Sequence, residues 1–281
     1  MKPFLGIDLT TNKKNKQQIG DEFLIQQPSL ALSESLDSSF EHADETIEKS
    51  KIPLPFRIVQ YVSGFAALLI VSGIMRADVS FAEGYQNAPG LFWAAPICAV
   101  IWLLLWLWSR QKSKTVLGED ESTLAFSNLD NSAAAVFEDL SVPDSAKDVD
   151  ILSFFYKLKD GNIKVVTKGT QTAQCFNPAF EIFSDTENLY LANLEGKYAF
   201  PLNSITTIHT IKKRISIIGW NKEEPFNKGV YKPYKLTANN YGSVFCKCYH
   251  ILEINYQGET YGIYFPSYEL PVFEEVTGLK A

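Results

Sequence analysis

Two apolar runs stand out from an otherwise mixed chain. Ile58–Met75 reads IVQYVSGFAALLIVSGIM between Arg57 and Arg76, and Gly90–Trp108 reads GLFWAAPICAVIWLLLWLW before Ser109 and Arg110. Each is roughly 18–20 residues long without an internal charge, enough to cross a ~30 Å hydrocarbon layer at ~1.5 Å per helical residue. Core helices of soluble proteins seldom stay apolar all round for that length. The pattern predicts a membrane α-helical hairpin, with transmembrane helices at 57–76 and 89–109 joined by an external loop at 77–88.

The flanking charges orient it. Lys49, Lys51 and Arg57 precede the first span, and Arg110, Lys112 and Lys114 follow the second, whereas the loop Ala77–Ala88 carries Asp78 and Glu83 but no Lys or Arg. Cations are retained on the cytoplasmic side, so both termini are expected to be cytoplasmic in a multi-pass cell-membrane protein. Trp93, Trp106 and Trp108 fall near the span ends, where indole rings favour the interface. Pro96 is expected to start or kink the second helix. Ser63, Gly64 and Ala67 are small enough to allow close helix contact.

Before the hairpin, residues 1–56 read as a cytoplasmic tail. It holds two apolar islands, Phe4–Leu9 and Phe23–Ile25, either a loose hairpin or short strands that dock elsewhere. From Ser29 to Lys49, Leu32, Leu36, Phe40, Ala43 and Ile47 recur at helical steps. Glu34, Asp37, Glu41, Asp44, Glu45 and Glu48 lie largely on the other faces. Such an acidic amphipathic helix is repelled by anionic headgroups and suits a protein surface; a disordered acidic tether is the alternative. Pro53 and Pro55 break any helix before the membrane.

After the second span, 110–149 reads as a linker: polar through Gln111–Asn128, then a short helix at Ser132–Leu140 ending before Pro143. Strands follow. Asp150–Leu158 and Ile163–Lys168 flank Lys159-Asp160-Gly161-Asn162, a strong hairpin signal. Phe180–Ser184, Leu189–Asn193, Tyr198–Leu202, Ile205–Ile211, Tyr234–Asn239, Cys248–Tyr256 and Thr260–Phe265 come next. A short helix Pro271–Thr277 closes the chain, with proline at its start and Gly278 past its end.

Seven short strands and one terminal helix, from Phe180 on, resemble the pleckstrin-homology (PH) fold. The stretch NPAFEIFSDTENLYLANLEGKYAFPLNSI is similar to the opening of bacterial PH-like domains, with a proline–leucine–x–x–isoleucine step at Pro201, Leu202 and Ile205. The whole layout resembles uncharacterised bacterial membrane proteins that tether such a domain to a hairpin. The resemblance implies a cytoplasmic, mainly-β PH-like small barrel over 150–281 with a short C-terminal helix. The extra hairpin at Asp150–Lys168 departs from it, as does the brevity of that helix.

Chemistry is sparse. Cys246, Cys248 and His250 alternate ahead of Leu252, Ile254 and Tyr256, so one inward face is expected to carry all of them. Alternate strand positions lie roughly 6.5–7 Å apart, too wide for one tetrahedral zinc without a bend, and core packing is the expectation. His209 has no partner assignable from sequence. The chain lacks a phosphate-cradling glycine loop, an HExxH motif and a nucleophile elbow, and no catalytic residue, metal or cofactor is assigned.

The most informative polar stretch is Lys212–Lys235. It carries Lys212, Lys213, Arg214, Lys222, Lys228, Lys232 and Lys235 against Glu223 and Glu224, with Trp220, Phe226, Tyr231 and Tyr234 interleaved. Cations beside aromatics suit an anionic surface such as the inner leaflet, where each Lys or Arg contributes ~1 kcal/mol within a Debye length. Alternatively, the loop is solvated and its aromatics fold back onto the barrel.

Composition narrows the field. About 167 residues follow Lys114, enough for a real core. A net charge of −6 argues against a nucleic-acid binder, and the four cysteines are expected to be reduced. The first apolar run begins too late for a secretory signal. The reading is a non-catalytic, membrane-tethered binding or scaffold module. Its expected partners are the bilayer and a protein partner or second copy. An enzyme or transporter accessory subunit is the alternative.

Overall fold

The computed structural model describes residues 2–4, 7–8, 21–76, 82, 85–86, 88–152, 154–157, 163–166, 179–218, 229–238 and 243–281. Two compact units divide the chain: Met1–Phe40 with Asp130–Ala281, and Glu41–Leu129.

The second unit is built on two long apolar helices. With α1 assigned to Leu30–Ser50, these are α2 (Leu54–Arg76) and α3 (Pro89–Leu117). Both are long and apolar enough to cross a membrane. Their large side chains turn outward: Tyr61 is 73% exposed and Leu68 70%. The two helices pack through small residues. A Cβ on Gly64 would stand 2.7 Å from Cδ1 of Trp102, so only glycine admits that ring. Ser63 and Ala95 are buried nearby in the same unit. At the other end Phe56 and Trp108 meet edge-on at 5.1 Å, and Lys112 Nζ donates to the Lys51 carbonyl at 2.6 Å. Pro53 separates α1 from α2, but Pro55 sits inside the first turn of α2, where a missing N–H costs nothing. Pro89 starts α3, and Pro96 lies within it. Most of the expected external loop is outside the described residues.

The expected polar linker Gln111–Asn128 is helical instead. Past the apolar run no breaker occurs until Gly118, so α3 continues to Leu117. A further helix, α4 (Asp120–Asp139), contains all but the last residue of the short one expected at Ser132–Leu140 and extends it twelve residues toward the N-terminus. Asp120 and Glu121 in its first turn complement the helix dipole. Ser122, Ala125, Leu129, Ala133, Val136 and Leu140 are buried at helical spacing along it. Ser141, at φ 54°, takes the left-handed position that ends it.

The first unit is β-rich. A five-stranded sheet has the order β3-β9-β8-β7-β4: β3 (Leu24–Gln26), β4 (Lys147–Asp150), β7 (Ala179–Ser184), β8 (Asn188–Asn193) and β9 (Gly196–Pro201). A four-stranded sheet runs β1-β15-β14-β10, with β1 (Lys2–Pro3), β10 (Ile205–Ile211), β14 (Tyr249–Tyr256) and β15 (Glu259–Pro266). Two three-stranded sheets complete it. One is β11 (Ile215–Ile218), β13 (Ser243–Cys246) and β12 (Thr237–Ala238); the other is β2 (Ile7–Asp8), β5 (Phe154–Lys157) and β6 (Ile163–Val166). Strands β5 and β6 pair as the expected hairpin, with the Asp-Gly turn itself outside the described residues.

The apolar islands of the N-terminal segment are strands that dock elsewhere. β1 lies parallel to β15, β2 parallel to β5, and β3 antiparallel to β9. The segment read as a tail therefore supplies core: Phe4 and Phe23 are fully buried among Tyr198, Phe200 and Tyr261.

No closed barrel forms among the described residues, contrary to the expectation from sequence. After β9, Pro201 and the 3₁₀ turn Leu202–Ser204 redirect the chain, and β10 pairs with β14 rather than β9. The five- and four-stranded sheets instead enclose one core. Val149, Ile182, Leu191 and Phe200 come from the first sheet, and Leu252, Ile254, Ile263 and Phe265 from the second. On the opposite side of β14 and β15 lies a second core: Cys246, Tyr249, Ile251, Tyr264 and Tyr268 with Ile215 and Val244. These two strands are buried on both faces, which explains their nearly continuous apolar sequence. The terminal helix α5 (Leu270–Thr277) stacks Phe273 on Phe265 at 3.8 Å. Gly278, at φ 70°, caps it as expected.

Candidate functional site

The described residues of the basic segment include regular structure. It contains strand β11, whose pairing with β13 aligns Ile215 with Cys246, and a 3₁₀ turn, Gly229–Tyr234. Its described cations lie outside the strands, Lys212, Lys213 and Arg214 between β10 and β11, and Lys232 and Lys235 in and just after the turn. Lys212, Arg214, Lys232 and Lys235 are exposed and Lys213 is half-buried. The Arg214 guanidinium lies 4.2 Å over the Phe245 ring, a cation–π contact that holds it against the sheet. Among the described residues no carboxylate forms an ion pair with these five cations. The tyrosines take the opposite direction. Tyr231 and Tyr234 pack against the second core, and Tyr231 meets Tyr268 edge-on at 5.6 Å. Burial holds the Tyr234 hydroxyl above its ordinary value, with Glu269 and Glu274 adding to the effect. Trp220, Lys222, Phe226 and Lys228 lie outside the described residues.

Cys246, Cys248 and His250 do not share one face. Strand β13 ends at Cys246, and the bend at Lys247 and Cys248 shifts the alternation before β14 begins. Cys246 therefore packs in the second core, while His250 points the other way and stacks on Phe265 at 5.6 Å. Burial pushes the Cys246 thiol up to about 12, slightly opposed by hydrogen bonding to Ser267. Such a thiol is no nucleophile at neutral pH. His250 Nδ1 lies 3.1 Å from Thr210 Oγ1. Its burial favours the neutral ring, partly offset by Glu274. His209 does have a partner: Nε2 is 2.9 Å from Glu253 Oε2, across the β10–β14 pair. Thr206 donates to the other Glu253 oxygen at 3.2 Å. That cluster is on the surface and open to water. Among the described residues no three His, Cys, Asp or Glu side chains converge as metal ligands.

Sequence reasoning missed a buried polar centre. Asp150, at the end of β4, and Glu269, in the turn before α5, are both almost wholly buried. The Tyr268 hydroxyl donates to Asp150 Oδ2, and the Asp150 N–H donates to Glu269 Oε1 at 3.1 Å. Burial and the two carboxylates drive the Tyr268 phenol far above its ordinary value, so it stays a donor. The contacts tie the C-terminal turn to the edge strand 118 or 119 positions away. No local sequence signal marks a pairing at that separation.

Comparison with known proteins finds no matching family model, no matching curated protein and no matching solved structure.

Proposed function

We propose that this protein is a non-catalytic, membrane-tethered binding module. Its hairpin crosses the cell membrane with both termini cytoplasmic, and its PH-like unit engages an anionic lipid surface through the basic segment. The observation that carries this reading is the sorting of side chains between Lys212 and Lys235: four of the five described cations are exposed, none of the five has a carboxylate ion pair among the described residues, and the described tyrosines pack inward. Two further facts support it. The outward apolar side chains of α2 and α3 need a nonaqueous surrounding, since exposed apolar area costs about 25 cal/mol per Å². Met1–Phe40 also folds with Asp130–Ala281, which supports the proposal that both ends lie on one side of the membrane. Two packed sheets with a C-terminal helix against their core support the PH-like assignment.

The test uses the full chain in phosphatidylcholine proteoliposomes, offered free fluorescent vesicles rich in phosphatidylserine. Outward-facing protein should capture them, and capture should fall steeply with salt as the Debye length shrinks from ~10 Å at 0.1 M to ~3 Å at 1 M. Lys212→Glu, Lys232→Glu and Lys235→Glu together should abolish capture without unfolding the protein, because all three are exposed and exposed charges shift stability by about 0.5 kcal/mol or less. Salt-insensitive capture, or none at low salt, removes the lipid reading. Topology is tested separately. In intact cells a cysteine replacing Ala82 should react with an impermeant thiol reagent, and one replacing Asn131 should not.

A further inference from the structure

The large exposed apolar side chains described here are concentrated in the hairpin and the helices beside it. In the unit formed by Met1–Phe40 and Asp130–Ala281, only Ile25 and Leu30 among the described residues are of this kind, and Leu30 is 75% exposed. Leu30 lines a surface groove of about 560 Å³ between the start of α1 and the β8–β9 turn. Leu36, Phe40 and Leu194 add apolar lining beside the polar Gln27 and Ser33, with Asp37 contributed by α1 and Glu195 by the β8–β9 turn. Among the described residues no Lys or Arg lines it. The nearest cation in sequence, Lys197, is committed elsewhere: its ammonium donates to the Leu140 carbonyl at 2.5 Å, at the C-terminal end of α4.

Both walls are fixed in advance. Asn193 Oδ1 accepts from the backbone N–H groups of Glu195 and Gly196, each at 3.0 Å, which locks the turn presenting Leu194 and Glu195. A Cβ at Gly196 would stand 2.8 Å from the Gln26 carbonyl, so glycine is required there. The start of α1 is pinned by Asp139, which accepts from Ser29 N–H at 2.9 Å and, through its carbonyl, from Gln26 Nε2 at 2.7 Å. A preformed groove of mixed lining, with a carboxylate from each of its two sides, lowers the ordering cost of binding and disfavours anions.

We propose that this groove docks a short segment of a partner protein that carries Lys or Arg beside an aliphatic or aromatic residue. This rests on the reading of the chain as a binding module and names a partner chemistry for it, at a site distinct from the basic segment. Charge complementarity selects the occupant: Asp37 and Glu195 take the cations, and Leu30, Leu36, Phe40 and Leu194 take the apolar anchor. Anionic headgroups are repelled by the same carboxylates.

The test uses the full chain in phosphatidylcholine nanodiscs and fluorescein-labelled twelve-residue peptides. One set pairs Lys or Arg with Leu or Phe, and a matched set replaces the cations with glutamate. Anisotropy, corrected with empty nanodiscs, should show saturable binding by members of the cationic set alone. Asp37→Lys with Glu195→Lys should weaken it about tenfold, as should Leu30→Ser, which removes only an exposed side chain. Binding by the glutamate set, no saturable binding, or affinity unchanged in the variants each overturns the proposal. So does a full chain that self-associates and comes apart on Leu30→Ser, because the occupant is then a second copy. Vesicle capture that persists while peptides fail to bind overturns the groove and leaves the membrane-binding reading standing. Loss of vesicle capture with peptide binding intact does the reverse.

Discussion

Replacing Phe4 by alanine should remove a large part of the stability of the β-rich unit, although residue 4 lies near the extreme N-terminus. The ring is fully buried and meets Phe200, Tyr198 and Phe23 edge-on at centroid distances of 4.6, 5.4 and 5.7 Å. A buried Phe→Ala change costs about 3–5 kcal/mol, against a total of about 5–15 kcal/mol for an ordinary domain. Phe23→Ala should cost a similar amount, since that ring also touches Tyr256 and Tyr261 at 5.0 Å. The two rings share a cavity, so the double variant should depart from additivity by about 0.5–3 kcal/mol. Ile25→Ala, at a position 56% exposed, is the control and should stay within about 0.5 kcal/mol. Four of the five tryptophans lie in α3, so fluorescence would report mainly on the hairpin. Pulse proteolysis in urea, on the full chain in detergent micelles, reads the β-rich unit instead. A chain lacking residues 1–27 should be cleaved there without urea. A Phe4→Ala midpoint matching the native one, or a truncated chain as resistant as the whole, would refute the placement of these residues in the core.

Three further outcomes follow from buried groups. His250 is held below its ordinary pKa of 6.5 by burial, so the unfolded chain binds more protons there; stability should fall as pH drops through 6.5, and His250→Gln should flatten urea midpoints between about pH 5 and 7. Maleimide labelling followed by peptide mass spectrometry should modify half-buried Cys248 before Cys246, which should react only on unfolding; equal rates in the native protein would contradict the buried thiol. Gly64→Val should separate α2 from α3, because Trp102 occupies the space its side chain needs; a cysteine pair replacing Phe56 and Trp108, where the rings meet in the native hairpin, should then cross-link less readily.

The parts of this fold legible in the sequence are those whose signal repeats within a dozen residues. Charge-free runs mark α2 and α3, and apolar steps of three and four mark α1, whose Leu36 and Ala43 are buried. Turn residues at Asp185–Asn188 and Glu195-Gly196 separate β7, β8 and β9 to within two residues of where they lie. The first three turns of helix α4, before the helix expected at Ser132–Leu140, escaped because their buried positions include Ser122 and Ala125, which carry little hydropathy. Strand β11 was hidden between Lys212-Lys213-Arg214 and the polar run after Ile218. β1 and β2 are two residues long, too short for period-two alternation to register. The face assigned to Cys246 was wrong for a different reason. Alternation holds only along continuous strand, and two residues of bend reversed it. The acidic groove brings Asp37 together with Glu195, and no local pattern reaches that far.

The closure of the β-rich unit looks entropically demanding, since Lys2 pairs with Tyr261 and Phe4 N–H donates to the Gly262 carbonyl at 2.8 Å. Closing a free loop of that length costs only about 2 kcal/mol more than closing one of twenty residues. The hairpin reduces even this. Because α2 and α3 pack antiparallel, Lys112 Nζ reaches the Lys51 carbonyl at 2.6 Å, so the intervening 61 positions add little to the effective loop. Burial of Phe4 and Phe23, at about 3–5 kcal/mol each, then exceeds what remains. The β-rich unit can therefore be assembled from both ends of the chain because the inserted helices return the backbone to where it left. Removing one helix would leave the other long, apolar and exposed.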